Sequence, residues 1–160
     1  MSEAIQTRPY AYWSLCVAAW SGFIQSYVIC AIAGALPFIK REFHLSSALE
    51  GLAASIILLG ALIGSAAAGF LADQWGRKRC FQIVALLFLL TSSLTFQIDS
   101  FYAFLSIRFV TGIASGISAI AVPLYLAEIA PPLKRGAFVT SYQFSLTIGT
   151  LIAYFSNFLY

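Results

Sequence analysis

Five long apolar runs, separated by short charged or turn-forming segments, organise this chain. The runs extend roughly from Trp13 to Phe38, Leu52 to Ala72, Cys80 to Ile98, Tyr102 to Ala127 and Ala137 to Tyr160. A bilayer core about 30 Å thick takes about 20 apolar residues per helix, so each run predicts one membrane-spanning helix. The breaks between runs are as informative as the runs. From Gly69 to Arg79 the chain carries Asp73 between two glycines, Gly69 and Gly76, and then Arg77, Lys78 and Arg79. Four charges at a helix centre would cost roughly 2.5–3.5 kcal/mol each. The chain is therefore expected to leave the bilayer here, turn tightly and re-enter. The other breaks are Ile39 to Gly51, Asp99 to Phe101 and Glu128 to Gly136, the last with the pair Pro131-Pro132 and the bases Lys134 and Arg135.

Composition strengthens this picture. Of 160 residues, 61% are hydrophobic and 9% charged, with a mean hydropathy of +0.89. Soluble domains are about 25% charged and need polar residues to cover the outside. The first run is too long and aromatic for a cleavable leader and lacks a basic segment followed by a small-residue cleavage site, so it is expected to stay as a span. Cys16, Cys30 and Cys80 have neither metal-ligand nor disulfide spacing. The net charge of +3 fits basic loops facing the cytoplasm, and no nucleic-acid partner is implied.

Lysine and arginine counts predict the orientation. With residues 1–12 as a cytoplasmic segment, the inner side holds Arg8, Arg77, Lys78, Arg79, Lys134 and Arg135, against Lys40 and Arg41 outside. The expected location is an integral, multi-pass position in the plasma (inner) membrane with the amino terminus in the cytoplasm. Small residues recur in the second run as Gly51, Ala54, Gly60, Ala61, Gly64, Ala67 and Ala68, and in the fourth as Gly112, Ser115, Gly116 and Ala119. Such stripes predict close helix contacts, as static packing or as surfaces that rock.

No nucleophile triad, paired catalytic carboxylates, phosphate-cradling loop or metal cluster can be assembled, so no enzyme, cofactor or metal is expected. His44 beside Glu42 reads as a solvated loop residue. Arg108 is the one charge inside a predicted span, and an ionisable residue there needs a partner. Asp99, Gln25 or backbone carbonyls are the local candidates. Arg108 either snorkels or makes a structural hydrogen bond, or it acts as a transport-linked switch.

Two motifs carry a family resemblance. Gly69, Leu71, Asp73, Gly76, Arg77 and Lys78 resemble the loop between the second and third helices of the major facilitator superfamily. Val110, Gly112, Ile113, Gly116, Tyr125, Glu128 and Arg135 resemble the signature of its sugar porter family. The implied fold is all-α: the N-terminal part, about five transmembrane helices, of a twelve-helix bundle working by alternating access between two six-helix halves. The implied function is transport of a sugar or related polyol, with a non-sugar organic solute as the alternative. Alone, the chain is expected to be inactive, as a truncated fragment or as a half awaiting the C-terminal helices.

The resemblance also implies roles. Asp73, Arg77, Lys78, Glu128 and Arg135 correspond to a cytoplasmic charge network that latches the outward-facing state, while the same bases could serve only as topology anchors. Gln143 corresponds to a sugar-binding amide, whose donor and acceptor suit a hydroxyl ligand. Gln25, Thr147 and Thr150 are weaker pore-lining candidates, and Tyr142 and Trp20 either stack on a sugar or pack. Proton-coupled members pair the arginine that Arg108 matches with a first-helix aspartate. This chain has Val28 there, so coupling through that pair is not expected.

Overall fold

The computed structural model describes residues 9–42, 46–95 and 100–159. His44, Asp99, Arg8 and Tyr160 lie outside the described residues, as does most of the 1–12 segment. Five α-helices follow one another: α1 (Pro9–Glu42), α2 (Ser47–Trp75), α3 (Arg77–Thr95), α4 (Phe101–Ile129) and α5 (Arg135–Phe158), with a 3-10 turn at Pro132–Lys134 before α5. α1, α2 and α4 are longer than their apolar runs because their ends continue into the polar boundary. Ser46 caps α2, its side chain accepting from the Leu49 backbone N–H. Gly76, at φ +79°, ends α2 in a conformation that only glycine adopts without strain, and its carbonyl accepts from Arg79 and Cys80 to start α3. One residue thus makes the tight turn expected between the second and third runs.

Four described helices carry a stretch long and apolar enough to cross a membrane: α2, α3, α4 and Trp13–Ile32 of α1. The fifth departs from expectation. At 24 residues α5 is about 36 Å long, ample for a bilayer. It falls short in apolarity because Thr140, Ser141, Gln143, Ser145, Thr147 and Thr150 interrupt it.

Packing does not follow chain order. The most extensive contacts join α2 to α4 and α1 to α5, with α3 lying against α4. The α2–α4 contact is built from two Gly-x-x-x-Gly segments, Gly60–Gly64 and Gly112–Gly116. A Cβ on Gly60 would collide with the Phe109 carbonyl oxygen, and one on Gly64 with that of Ile113. Reciprocally, a Cβ on Gly112 or Gly116 would strike the carbonyls of Ile57 or Ala61. Backbone therefore touches backbone, which van der Waals packing in lipid rewards. The small-residue stripe was broader than the contact: Gly51, Ala54 and Ala119 are exposed. On the other pair, Gly22 faces the Tyr142 ring and Gly149 faces Ser26 and the Phe23 carbonyl.

Alternating directions bring the ends of α2 and α4 and the starts of α1, α3 and α5 to one end of the bundle. At the opposite end Lys40 Nζ and Glu50 Oε2 pair at 2.5 Å, joining α1 to α2.

Candidate functional site

At the first end, Arg77 stands between two acids. Its Nη1 lies 3.6 Å from Asp73 Oδ1, one helical turn earlier across the α2–α3 turn. Its Nε lies 2.5 Å from Glu128 Oε1 at the end of α4, an ion pair in which the N–H is not aligned as a hydrogen bond. Arg77 is the least exposed of the three, so the cluster joins α2, α3 and α4 through a partly desolvated guanidinium. Arg135 and Lys78 stand apart: among the described residues neither forms an ion pair with Asp73 or Glu128. Successive helix residues point about 100° apart, which separates Lys78 and Arg79 from Arg77.

Midway along the bundle a buried polar knot joins α1, α4 and α5. Gln25, 4% exposed, donates through Nε2 to the Ser115 hydroxyl at 3.1 Å and the Ser115 carbonyl at 3.3 Å. Its Oε1 accepts from the Ser118 hydroxyl at 2.8 Å and the Tyr142 hydroxyl at 2.9 Å. Both amide atoms are saturated inside the protein, so Gln25 has no free donor or acceptor for a solute. Tyr142 is likewise buried within the bundle, whereas Trp20 is exposed. The knot was not legible beforehand, because helix order along the chain does not show that α1 lies against both α4 and α5.

Gln143 and Thr147 sit one turn apart on an exposed face of α5, where the Thr147 hydroxyl donates to the Gln143 carbonyl at 3.1 Å. Thr150 is partly buried against α1, and the Cys30 thiol lies 3.9 Å from its hydroxyl. Of the four residues expected to meet solute, Gln143 and Thr147 share an open face, Thr150 lies at its margin and Gln25 is enclosed. Nearby, Asn157 Nδ2 donates to the Cys30 carbonyl at 3.0 Å.

Arg108 does not snorkel. It is 6% exposed, lies 5.9 Å from the Phe104 ring centroid, and has no hydrogen-bond partner for Nε or Nη1 among the described residues. Gln25 is not its partner. Val28 lines a cavity of about 340 Å³ between α1 and α3, shared with Ser21, Val84, Phe88 and Ser118. The motif glycines divide in role: Gly112 and Gly116 make the α2–α4 contact, Gly76 makes the turn, and Gly69 faces open space.

A multi-pass helical bundle with long apolar helices and glycine-mediated helix contacts has the make-up of an integral membrane protein. Comparison with known proteins gives the family. The model of the sugar (and other) transporter family matches residues 14–160, and the chain belongs to that family. It is 37% identical over 141 residues to the galactose-proton symporter of Escherichia coli K12, covering 88% of this chain and 30% of that protein. It is 34% identical to the glucose transporter GlcP of Staphylococcus epidermidis, covering 89% of this chain and 32% of that protein. The inward-open structure of the xylose transporter XylE from E. coli superposes with a TM-score of 0.81 at 26% identity, covering 94% of this chain and 40% of that one. The chain thus spans about a third of the length of the curated relatives it matches.

Proposed function

We propose that this chain supplies part of a transporter that moves a sugar or related polyol across the plasma (inner) membrane by alternating access, with its amino terminus in the cytoplasm. The observation that carries the reading is α5. A helix of spanning length that is too polar for lipid on all sides, with Gln143 and Thr147 on an exposed face, fits one wall of a polar solute path. In lipid that face would be costly, so other helices complete the path. Gln143 contacts solute hydroxyls through its amide, Thr147 and Thr150 extend the polar wall, and Gln25 acts as the tie that fixes α1 and α4 behind it. Asp73, Arg77 and Glu128 form the latch at the cytoplasmic end, with Lys78 and Arg135 as flanking bases. The galactose and glucose transport named for the relatives supports a hexose-like solute.

One observation favours a second reading, an organic anion as solute. Arg108 Nε and Nη1, buried and without a hydrogen-bond partner among the described residues, would gain one from a carboxylate.

The test is a chimera in which residues 14–160 replace the matching segment of the E. coli galactose-proton symporter, reconstituted in liposomes. Saturable galactose uptake, reduced at least tenfold by Gln143→Ala and insensitive to excess gluconate, supports the sugar reading. Uptake that gluconate inhibits, and that Arg108→Gln frees from inhibition, supports the anion reading. A folded, inserted chimera that binds neither solute overturns both.

A further inference from the structure

Arg108 carries a charge that this chain encloses and does not match. The side chain is 6% exposed, and Nε and Nη1 are buried with no hydrogen-bond partner among the described residues. The enclosure comes from the chain's own packing. One turn before Arg108, Phe104 is buried in a cluster with Ala53 of α2, against which Ile32 and Leu36 of α1 pack. One turn after it, Thr111 is buried as well. We propose that a small inorganic anion of the chloride class binds the Arg108 guanidinium inside the bundle.

Arginine cannot shed its proton as a buried lysine can, so the charge stays and calls for an opposite one. The groups of this chain that could answer it are committed elsewhere. Of the acids whose side chains are described, Glu50 pairs with Lys40 at one end of the bundle, and Asp73 and Glu128 pair with Arg77 at the other. Arg108, Thr111, Ser115 and Ser118 follow one another at three- and four-residue steps and so share a face of α4. The hydroxyls on that face have their own partners: Thr111 donates to the Ile107 carbonyl at 2.8 Å, Ser115 accepts from Gln25, and Ser118 donates to Gln25. The Phe104 ring, 5.9 Å from the guanidinium, offers an electron-rich face but no net charge. The enclosure also sets the size of the ligand. Arg108 does not line the 340 Å³ cavity beside Val28, and a position so nearly closed suits an ion of one or a few atoms.

The inference rests on neither solute reading, since it is read by binding and needs no transport. Equilibrium dialysis of the 160-residue chain in neutral detergent against radiolabelled chloride tests it. One saturable chloride per chain is expected, bound at least tenfold more weakly in Arg108→Gln and unchanged in Arg79→Gln, which alters an exposed base. Tryptophan-detected unfolding checks that each variant is folded. In the parent, Tm should rise with chloride concentration, as binding to the folded form requires, and in Arg108→Gln it should not. Should Arg108→Gln fail to fold, Thr111→Asp decides the matter. A carboxylate three residues along α4 supplies the counter-charge from within, so this variant should bind chloride at least tenfold more weakly with the arginine still present; undiminished binding would overturn the site. Equal binding by the parent and a folded Arg108→Gln variant would overturn it too. A parent that binds no chloride contradicts the proposal, and chloride binding that appears only in Asp99→Asn would make Asp99 the counter-ion instead. Equimolar gluconate should leave the bound chloride in place; displacement would make the site one for organic carboxylates and overturn the small-ion assignment.

Discussion

Replacing Gly64 by alanine is expected to weaken the bundle although it adds only a methyl group. A Cβ at this position would lie 2.9 Å from the Ile113 carbonyl carbon and nearer still to its oxygen. Carbon atoms pack best at about 3.5–4.0 Å, so α2 and α4 would have to separate by at least roughly 0.6 Å. No side chain can swing aside, because the obstacle is backbone. A gap of about that size forfeits roughly a quarter or more of the dispersion attraction where it opens, and the reciprocal contacts at Gly60, Gly112 and Gly116 would loosen with it. Overpacking of this kind costs about 1–3 kcal/mol, or roughly 2–4 °C of Tm per kcal/mol for a chain of this size. Gly69→Ala is the matched control on the same helix. Nothing lies within 4 Å of its Cβ position, so the helix propensity of alanine should leave stability unchanged or raise it by about 0.5–1 kcal/mol. Tryptophan-detected thermal unfolding in detergent micelles measures both. A Gly64→Ala variant as stable as the parent, or a Gly69→Ala variant that falls equally, would refute the backbone contact between α2 and α4.

The polar knot makes its own prediction: Gln25→Leu should cost about 1–3 kcal/mol by leaving the Ser118 and Tyr142 hydroxyls without their acceptor, and thermal unfolding of Tyr142→Phe and the double variant should show coupling between positions 25 and 142. For the charge cluster, Glu128→Gln and Arg77→Gln are expected to couple by about 0.2–1 kcal/mol, because the pair is partly exposed, and the coupling should shrink in high salt; a salt-independent cycle would contradict the assignment. Galactose uptake by the chimera should not carry protons, and Val28→Asp should introduce proton movement that Arg108→Gln abolishes; medium alkalinisation by the unmodified chimera would contradict this reading of Val28.

The apolar runs foretold the five helices, since chain length in a bilayer fixes how long an apolar stretch must be. The turn at Gly76 was equally legible, because four charges and a glycine leave a chain little else to do. Their pairing was not. Nothing local shows that α1 lies against α5 while α2 lies against α4, and so the role of Gln25 as a tie among three helices emerged only with Tyr142 and Ser118 in place. The small-residue stripes gave the α2–α4 contact its residues but overstated its width, as periodicity cannot tell which edge of a stripe meets a neighbour. Among the charges, the family resemblance grouped Asp73, Arg77, Lys78, Glu128 and Arg135 together. The helix turn then divides them, turning Lys78 toward α1 and leaving Arg135 without either acid.

The central claim is that the exposed polar face of α5 meets a sugar. Galactose counterflow in liposomes bearing the chimera tests it most directly, comparing the parent with Gln143→Ala and Gln25→Leu. The account predicts that Gln143→Ala raises the half-saturating galactose concentration at least tenfold while leaving thermal stability intact, and that Gln25→Leu does the opposite, lowering stability with little change in sugar affinity. Loss of galactose affinity in Gln25→Leu at unchanged stability, with Gln143→Ala transporting normally, would contradict it.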